Sequence, residues 1–186
     1  MDWQLIQEQD KLYHCTKEWW ESSHVSYSHN CSGPPRLKQQ WGGTALLCCN
    51  KVVHRIIGKG IDNTKLGHWR WTRFCGKHNK TLRIYSAYCP NHPTGAFSVY
   101  SQHRLLFSLK GDPRCPRVAF VEDLGNAIME AQREGDKIVV LLDGNMDTRN
   151  SPIANAFLQL QLEEKILLPH GMQGPETYKG NKNIAQ

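Results

Sequence analysis

The sequence predicts a mixed α/β fold in which sheets pack between layers of helices. Short apolar or alternating runs, which are typical of strands, occur beside stretches whose apolar residues recur every three or four positions, which are typical of helices. In order, the chain is predicted to form a helix, several antiparallel strands, two helices, a strand and a helix. Such a mixture indicates sheets covered by helices. With 186 residues, the chain is long enough for one domain with a substantial core.

The N-terminal half is predicted to hold one helix and most of the strands. Apolar spacing predicts a helix from about Gln9 to Ser22, and residues 26–41 are expected to be a loop because they contain a Gly-Pro-Pro break. The predicted strands are Thr44–Cys49, Lys51–Ile57 and the two arms of a hairpin, Trp69–Cys75 and Thr81–Tyr88.

The C-terminal half is predicted to be helical around one apolar strand. The predicted helices are Phe97–Leu109, Val118–Glu134 and Pro152–Glu164, the last with proline in its first turn. Between the second and third of these helices, apolar residues fill Ile138–Leu142 without interruption. We therefore expect this run to form a strand that is buried on both faces.

Composition and charge favour a polyanionic partner and an intracellular protein. The net charge of +6 makes DNA or RNA the expected partner. No apolar run approaches the roughly eighteen residues that cross a bilayer, so no membrane association is expected. The first residues lack the basic start of a signal peptide. Seven cysteines without a CxxC pair fit reduced thiols, which indicates the cytoplasm or nucleus.

Polar side chains follow two of the predicted strands at the point where each strand ends. Asp143, Asn145 and Asp147 come directly after the apolar strand, and Tyr88 ends the second arm of the hairpin. Carboxylate and amide oxygens suit Mg²⁺ or Mn²⁺ and can orient water or phosphate. The alternative is an ordinary Asp-Gly turn with solvated acids and a buried strand-end tyrosine.

Three short motifs occur in an order that is informative when they are taken together. They are Gly42-Gly43-Thr44-Ala45, Ser86-Ala87-Tyr88-Cys89-Pro90-Asn91 and Leu142-Asp143-Gly144-Asn145. This order resembles the endonuclease/exonuclease/phosphatase superfamily, which includes abasic-site endonucleases, retrotransposon nuclease domains and inositol phosphatases. The resemblance is strongest over residues 42–177 of a single domain spanning 1–186, and Leu142 stands where the family usually has glycine. It implies a four-layer sandwich of two mixed, largely antiparallel sheets flanked by helices, without the terminal strands.

The resemblance also implies an activity and assigns roles to residues. The activity would be metal-dependent hydrolysis of phosphodiesters in nucleic acid, closest to that of retrotransposon endonuclease domains. Asp143 would orient and deprotonate the attacking water, and Asn145 would hold the phosphate or that water. Tyr88 would donate a hydrogen bond to the phosphate.

The family further requires a metal-binding glutamate and a closing Asp-His pair. Glu8 is the candidate for the glutamate if residues 2–8 form a strand, whereas a helix there would leave the role unfilled. Asp147 is a second candidate near the metal, which would be Mg²⁺ or Mn²⁺. No Asp-His pair occurs in the sequence, so we expect a fragment clipped at both ends, with reduced or no activity.

Two other functions stay open at this point. In the first hairpin arm, aromatic and basic residues alternate, so Arg70 and Arg73 are candidates for contacts with nucleic acid. The alternative is a hairpin with half-buried tryptophans and exposed arginines. A non-catalytic nucleic-acid-binding remnant of a mobile element would depend on these arginines more than on Asp143. A phosphatase for small phosphoesters is the third hypothesis.

Overall fold

A computed structural model describes residues 3–29, 43–92, 95, 98–145 and 151–165 of the chain. As predicted, the fold is mixed α/β, and the described residues form a two-stranded antiparallel sheet and a four-stranded mixed sheet flanked by helices. The elements are α1 (Trp3–Trp19), β1 (Ser23–His29), β2 (Gly43–Cys49), β3 (Ile56–Ile61), β4 (Trp69–Cys75), β5 (Thr81–Tyr88), α2 (Val99–Lys110), α3 (Pro116–Arg133), β6 (Asp136–Asp143) and α4 (Pro152–Gln159), with 3₁₀ turns at Asn50–Arg55 and Lys77–Asn79.

The larger sheet has the strand order β3-β4-β5-β6. Its first three strands are antiparallel, as the predicted hairpin required, whereas β5 and β6 are parallel. A parallel pair needs a long crossover, and α2 and α3 supply it. In this register Thr81 lies beside Asp136 and Tyr88 beside Asp143, so β5 and β6 end at the same edge of the sheet.

Helix α3 covers one face of the larger sheet and forms the main core with it. Phe120, Leu124 and Ile128 recur every four residues, so they share one side of the helix and are fully buried. They pack against sheet residues that include Trp69 and Tyr85. Burying each such side chain stabilises the fold by roughly 1.5–3 kcal/mol relative to leaving it exposed.

The opposite face of the larger sheet is covered by β1 and β2. Leu46 and Cys48 of β2 pack with Phe74 of β4, and Arg70 Nη1 donates a hydrogen bond to the Tyr27 carbonyl of β1 at 3.0 Å. The two sheets therefore lie face to face, while α3 covers the outer side of the larger one and α1 contacts β1. The predicted arrangement of two sheets flanked by helices is confirmed.

The helix boundaries follow ordinary capping chemistry. The side chains of Ser98 and Ser151 accept hydrogen bonds from the backbone at the starts of α2 and α4. Pro116 occupies the first turn of α3, and Gly111 ends α2 in the left-handed conformation with φ +69°. None of the helices in the described part of the chain is long and apolar enough to cross a membrane.

Strand β6 is not buried on both faces, which corrects the prediction. Ile138, Val140 and Leu142 pack against the core under α3, but Val139 and Leu141 are 41% and 57% exposed. Among the described strands, β6 is at the edge of its sheet, and β2 lies over β4 and β5. An uninterrupted apolar run indicates a strand, but it does not say which faces another layer covers.

Strand β1 occupies residues 23–29, part of which was predicted to be a loop. Its buried positions include Ser26 and Ser28, while Tyr27 between them is exposed. The usual alternation of buried apolar and exposed polar residues is therefore reversed, and sequence patterning does not detect it. The rest of the predicted loop, from residue 30, lies outside the described residues.

Three further boundaries differ from the prediction. The helix predicted over Pro152–Glu164 ends at Gln159. The stretch Lys51–Ile57 was predicted to be extended, but Asn50–Arg55 forms a 3₁₀ helix and the next strand begins at Ile56. The N-terminal helix begins at Trp3 rather than near Gln9. Residues 2–8 therefore belong mainly to a helix, not to the strand that the metal-glutamate hypothesis needed. The predicted polar tail from Pro169 lies outside the described residues.

A buried ion network holds the end of the sheet where β6 begins. The fully buried Asp136 carboxylate accepts hydrogen bonds from Arg83 Nε and Arg73 Nε, both at 2.8 Å, and from the Thr81 hydroxyl at 2.5 Å. Burial alone would raise the pKa of Asp136, but the hydroxyl and the two guanidinium groups outweigh it and hold that pKa below its ordinary value. The network joins three strands of one sheet.

Trp71 extends this network on the same face of the sheet. The Arg83 guanidinium carbon lies 4.3 Å from the centre of the Trp71 ring, and Arg83 Nη2 pairs with Glu134 at 2.6 Å. The indole occupies the space beside Gly60, where an added Cβ would lie 2.5 Å from its ring atoms. Gly60 is therefore required for this packing.

Two histidines form a neutral pair in the core. His68 Nε2 and His103 Nδ1 are 3.0 Å apart, and the two residues are 1% and 0% exposed. Burial lowers the pKa of each to about 3, and His68 contributes to the lowering at His103. Both rings are therefore uncharged at pH 7, so one nitrogen donates and the other accepts.

We expect Asp136→Asn to lower the free energy of unfolding by about 3–5 kcal/mol, because it removes the buried carboxylate that pairs with both Arg73 and Arg83 and leaves them the partly exposed Glu134. Urea unfolding measures the change. Glu122→Gln is the matched control, since the Glu122 carboxylate is 52% exposed and pairs with Arg114 at 3.0 Å on the surface. It should cost less than about 1 kcal/mol. Equal losses in the two variants would contradict a buried network.

We also expect stability to fall as the pH is lowered from 7 to 5. The pKa of His68 and His103 is about 3 in the folded state and the ordinary 6.5 in the unfolded state. The unfolded chain therefore binds more protons below pH 6.5, and each histidine costs about 2 kcal/mol at pH 5. Urea unfolding at both pH values measures the slope. A His103→Gln variant should show a smaller slope, and an unchanged slope would contradict the prediction.

Candidate functional site

Tyr88, Asp143 and Asn145 lie together where β5 and β6 end. The parallel register places Tyr88 directly beside Asp143, so their side chains share one face of the sheet, and Asn145 follows two residues later. The strand ends are also joined by a hydrogen bond from the Cys89 N–H to the Asp143 carbonyl at 2.9 Å. The carboxyl ends of adjacent parallel strands are where α/β proteins place ligands. The structure thus brings together three of the predicted site residues.

Asn145 is held by both its backbone and its side chain. Its φ of +46° is a left-handed conformation, which asparagine adopts more readily than most residues. Its Nδ2 donates to the Cys89 carbonyl at 2.8 Å, which ties the segment after β6 to the end of β5. One of the two N–H donors of this amide is therefore used in the structure. The second donor and the carbonyl oxygen are left for Tyr88 or a ligand.

The surroundings of Tyr88 keep its phenol protonated. The residue is half-buried, and its backbone N–H donates to the His68 carbonyl at 2.8 Å. Burial and the nearby Asp143 carboxylate raise the pKa of Tyr88, and the lowering by Asn91 and Asn145 is smaller. The hydroxyl is therefore a hydrogen-bond donor throughout the neutral range, as a contact to a phosphate oxygen requires.

Arg117 fixes the two segments that carry these residues, although sequence reasoning did not single it out. From the first turn of α3, its Nη1 donates to the Pro90 carbonyl at 3.0 Å and to the Asn145 carbonyl at 3.2 Å, and its Nη2 also reaches Asn145 at 3.2 Å. A cation at a helix N-terminus opposes the helix dipole. That unfavourable position is the one sequence signal that indicates a tertiary role for Arg117.

The two candidate arginines of β4 lie at opposite ends of the sheet. Arg70 is on the same face as Tyr88 and Asp143, near the edge where those residues lie. Arg73 instead pairs with Asp136 at the other end, about 23 Å from Asp143 along β6. The structure therefore brings Arg70, but not Arg73, to the candidate site.

The two metal-ligand candidates receive little support from the described residues. Glu8 lies in α1 rather than at a strand end. Asp147 lies outside the described residues. Within the described ranges, no three His, Cys, Asp or Glu side chains form a metal-binding group. The Asp143 carboxylate and the Asn145 amide remain as oxygen donors. Mg²⁺ often uses one or two carboxylates together with water and substrate phosphate, so these two residues fit part of a coordination shell.

No protein-family model matches this chain, and no curated protein matches it either. The resemblance to the endonuclease/exonuclease/phosphatase superfamily is therefore carried by its three motifs. In the structure Gly43 begins β2, Tyr88 ends β5 and Asp143 ends β6. The second and third motifs meet at one edge of the larger sheet.

We expect Arg117→Met to loosen the segments at 89–92 and 143–145 while the fold persists. The variant keeps an unbranched side chain but removes the donors to two backbone carbonyls, which should cost about 1–3 kcal/mol. Hydrogen exchange of the two segments should accelerate, and this is the measurement. Arg133→Met is the control, because Arg133 is an exposed arginine at the other end of the same helix. Equal acceleration in both variants would contradict the role given to Arg117.

Proposed function

We propose that this chain is a metal-dependent phosphodiester hydrolase of the endonuclease type that acts on nucleic acid. The observation that carries the proposal is the convergence of Tyr88, Asp143 and Asn145 on the ends of two adjacent parallel strands. A carboxylate, an amide and a protonated phenol on one edge of a sheet are the groups that phosphodiester hydrolysis uses. The motif resemblance supports the same assignment.

Each of the three side chains has a distinct role in this proposal. The exposed Asp143 carboxylate accepts a proton from the attacking water and orients it. Tyr88 donates a hydrogen bond to a non-bridging phosphate oxygen, since its phenol stays protonated. Asn145 holds the phosphate through its remaining amide donor. Mg²⁺, when bound beside Asp143 and Asn145, would supply positive charge to offset the charge on the phosphate.

Charge favours nucleic acid over a small phosphoester as the substrate. The chain carries a net charge of +6, and Arg70 lies near the candidate site on the same face of the sheet. Basic residues beside a phosphate site can bind the neighbouring phosphates of a nucleic-acid backbone, whereas a small phosphoester has no neighbouring phosphates to bind. The six cysteines of the described residues are all unpaired, which supports an intracellular location in the cytoplasm or nucleus.

One observation favours a second candidate function, nucleic-acid binding without cleavage. Arg70 lies on the face of the sheet that carries Tyr88 and Asp143, and its guanidinium group contacts a backbone carbonyl that leaves its charge free to attract a polyanion. A site that binds phosphate but lacks a complete metal shell would retain DNA or RNA without hydrolysing it. Such binding would depend on salt and on Arg70 more than on Asp143.

We expect Mg²⁺-dependent nicking of supercoiled plasmid by the full chain to be slow, because the sequence contains no Asp-His pair, and Asp143→Asn should reduce its rate further, by at least about a hundredfold. Tyr88→Phe should reduce the rate by roughly a hundredfold, because it removes one donor to the phosphate. Glu130→Gln is the control, since Glu130 is an exposed carboxylate on α3 away from the site and its loss should leave the rate unchanged.

Three results separate the candidate functions. Nicking that survives Asp143→Asn would contradict the assigned roles. Salt-dependent binding of plasmid without nicking would support the binding-only function. Release of inorganic phosphate from small phosphoesters, without cleavage of DNA or RNA, would identify a phosphatase instead.

A further inference from the structure

Polar side chains without hydrogen-bond partners are buried between the two sheets. Ser26 and Ser28 are each 4% exposed and Thr72 is 0% exposed, yet their hydroxyl oxygens have no partner in the described structure. Thr44 Oγ1 and Arg70 Nε are also buried atoms without a hydrogen-bond partner. Leaving buried polar atoms unpaired is unfavourable, so a cluster of them indicates a missing partner.

Three of these residues form a group at one end of the layer between the sheets. Ser28 and Thr44 are register partners in β1 and β2, so their side chains lie side by side. They face the larger sheet, because Leu46, two residues after Thr44, packs within that layer. The Arg70 guanidinium contacts the carbonyl of Tyr27, the residue directly before Ser28, at 3.0 Å. The Arg70 guanidinium group therefore lies beside the strand position that carries the two hydroxyl groups.

This group lies at the same edge of the sheet as the candidate active site. Arg70 is the register partner of Ser86, which is two residues before Tyr88 on β5. All three of these side chains are on the face that also carries Asp143. Arg70 is therefore offset from Tyr88 by about 7 Å along the strands and by one strand spacing, about 4.8 Å, across the sheet.

The chemistry of the group suits an oxyanion. Hydroxyl and guanidinium groups donate hydrogen bonds to phosphate oxygens, and arginine is especially suited to them. The contact of Arg70 with Tyr27 is to a backbone carbonyl, so it does not neutralise the guanidinium charge. Burial also lowers the pKa of Arg70, and no carboxylate of the described residues pairs with its guanidinium group.

We propose that Ser28, Thr44 and Arg70 form a subsite for a phosphate oxyanion beside the Tyr88–Asp143 site. The subsite takes the phosphate that neighbours the one held by Tyr88 and Asn145 in a nucleic-acid strand. This last assignment rests on the proposed function, whereas phosphate binding itself does not. The subsite lets the chain hold two consecutive phosphates, so it selects a polynucleotide over a monoester.

The direct test is titration of the full chain with inorganic phosphate, followed by calorimetry or by amide chemical shifts. Thr44→Val keeps the shape of the side chain and removes the hydroxyl, and Ser28→Ala removes the other hydroxyl. Each should weaken phosphate binding roughly tenfold, and Arg70→Gln should weaken it at least as much. Arg133→Gln is the matched control for charge, because it removes one exposed cation far from the group, and it should change the affinity less than about twofold.

Unchanged phosphate affinity in folded Thr44→Val and Ser28→Ala variants would overturn the subsite, as would the finding that only water occupies the group. Unfolding midpoints identify which variants are folded, and either hydroxyl variant alone is sufficient for the test. Binding of a short oligonucleotide in EDTA distinguishes a backbone phosphate from the free ion. Arg70→Gln should lower the slope of log affinity against log salt by about one, and an unchanged slope would exclude the backbone phosphate.

The hydrolase function and the phosphate subsite can be refuted independently of each other. If phosphate binding depends on Thr44 but plasmid is never nicked, the subsite stands and the hydrolase function is wrong. If nicking depends on Asp143 but phosphate affinity is insensitive to Thr44, Ser28 and Arg70, the hydrolase function stands and the subsite is wrong.

Discussion

The parallel pairing of β5 with β6 is the constraint on which the rest of the structure depends. One register places Thr81 beside Asp136 at the start of the strands and Tyr88 beside Asp143 at their end. The buried ion network and the candidate site are therefore set by the same set of backbone hydrogen bonds. A slip of one residue would turn Asp143 toward the face covered by α3 and move Asp136 out of its network, so both would be lost together. Arg117 adds to this constraint, because α3, the helix that leads into β6, also binds the segment after β6.

The fold could be predicted where local patterning and tertiary environment agree. The hairpin of β4 and β5 alternates along its length, and the stripe on α3 has a clear helical period, so both were identified with small boundary errors. Strand β1 was missed because its buried positions carry Ser26 and Ser28 instead of apolar residues. The prediction that β6 is covered on both faces was wrong for a different reason. Leu141 is as apolar as Leu142, but only the packing of the layers decides that one is exposed and the other faces the core.

The candidate site could be predicted in part, for reasons of the same kind. Tyr88, Asp143 and Asn145 stand at strand ends in recognisable motifs, so sequence reasoning nominated them and the structure places them together. Arg117 could not be found in this way, because its partners are 27 and 28 residues away and are backbone carbonyls, which carry no side-chain signature. Thr44 was quoted within a motif, but the role proposed for it depends on Ser28 in β1, a strand that patterning does not reveal.

Strand β4 shows why an alternating aromatic and basic stretch is not by itself a binding surface. Successive residues of a strand point to opposite faces, so Trp71 and Arg73 join the ion network on the α3 side, while Arg70 and Thr72 face the smaller sheet. The cation of Arg73 is compensated by Asp136, whereas the cation of Arg70 has a backbone carbonyl as its contact. Two arginines three residues apart therefore differ in the attraction they offer to a polyanion. Removing the carboxylate would leave the Arg73 charge unpaired, whereas the half-buried Arg70 charge has no such partner among the described residues to lose.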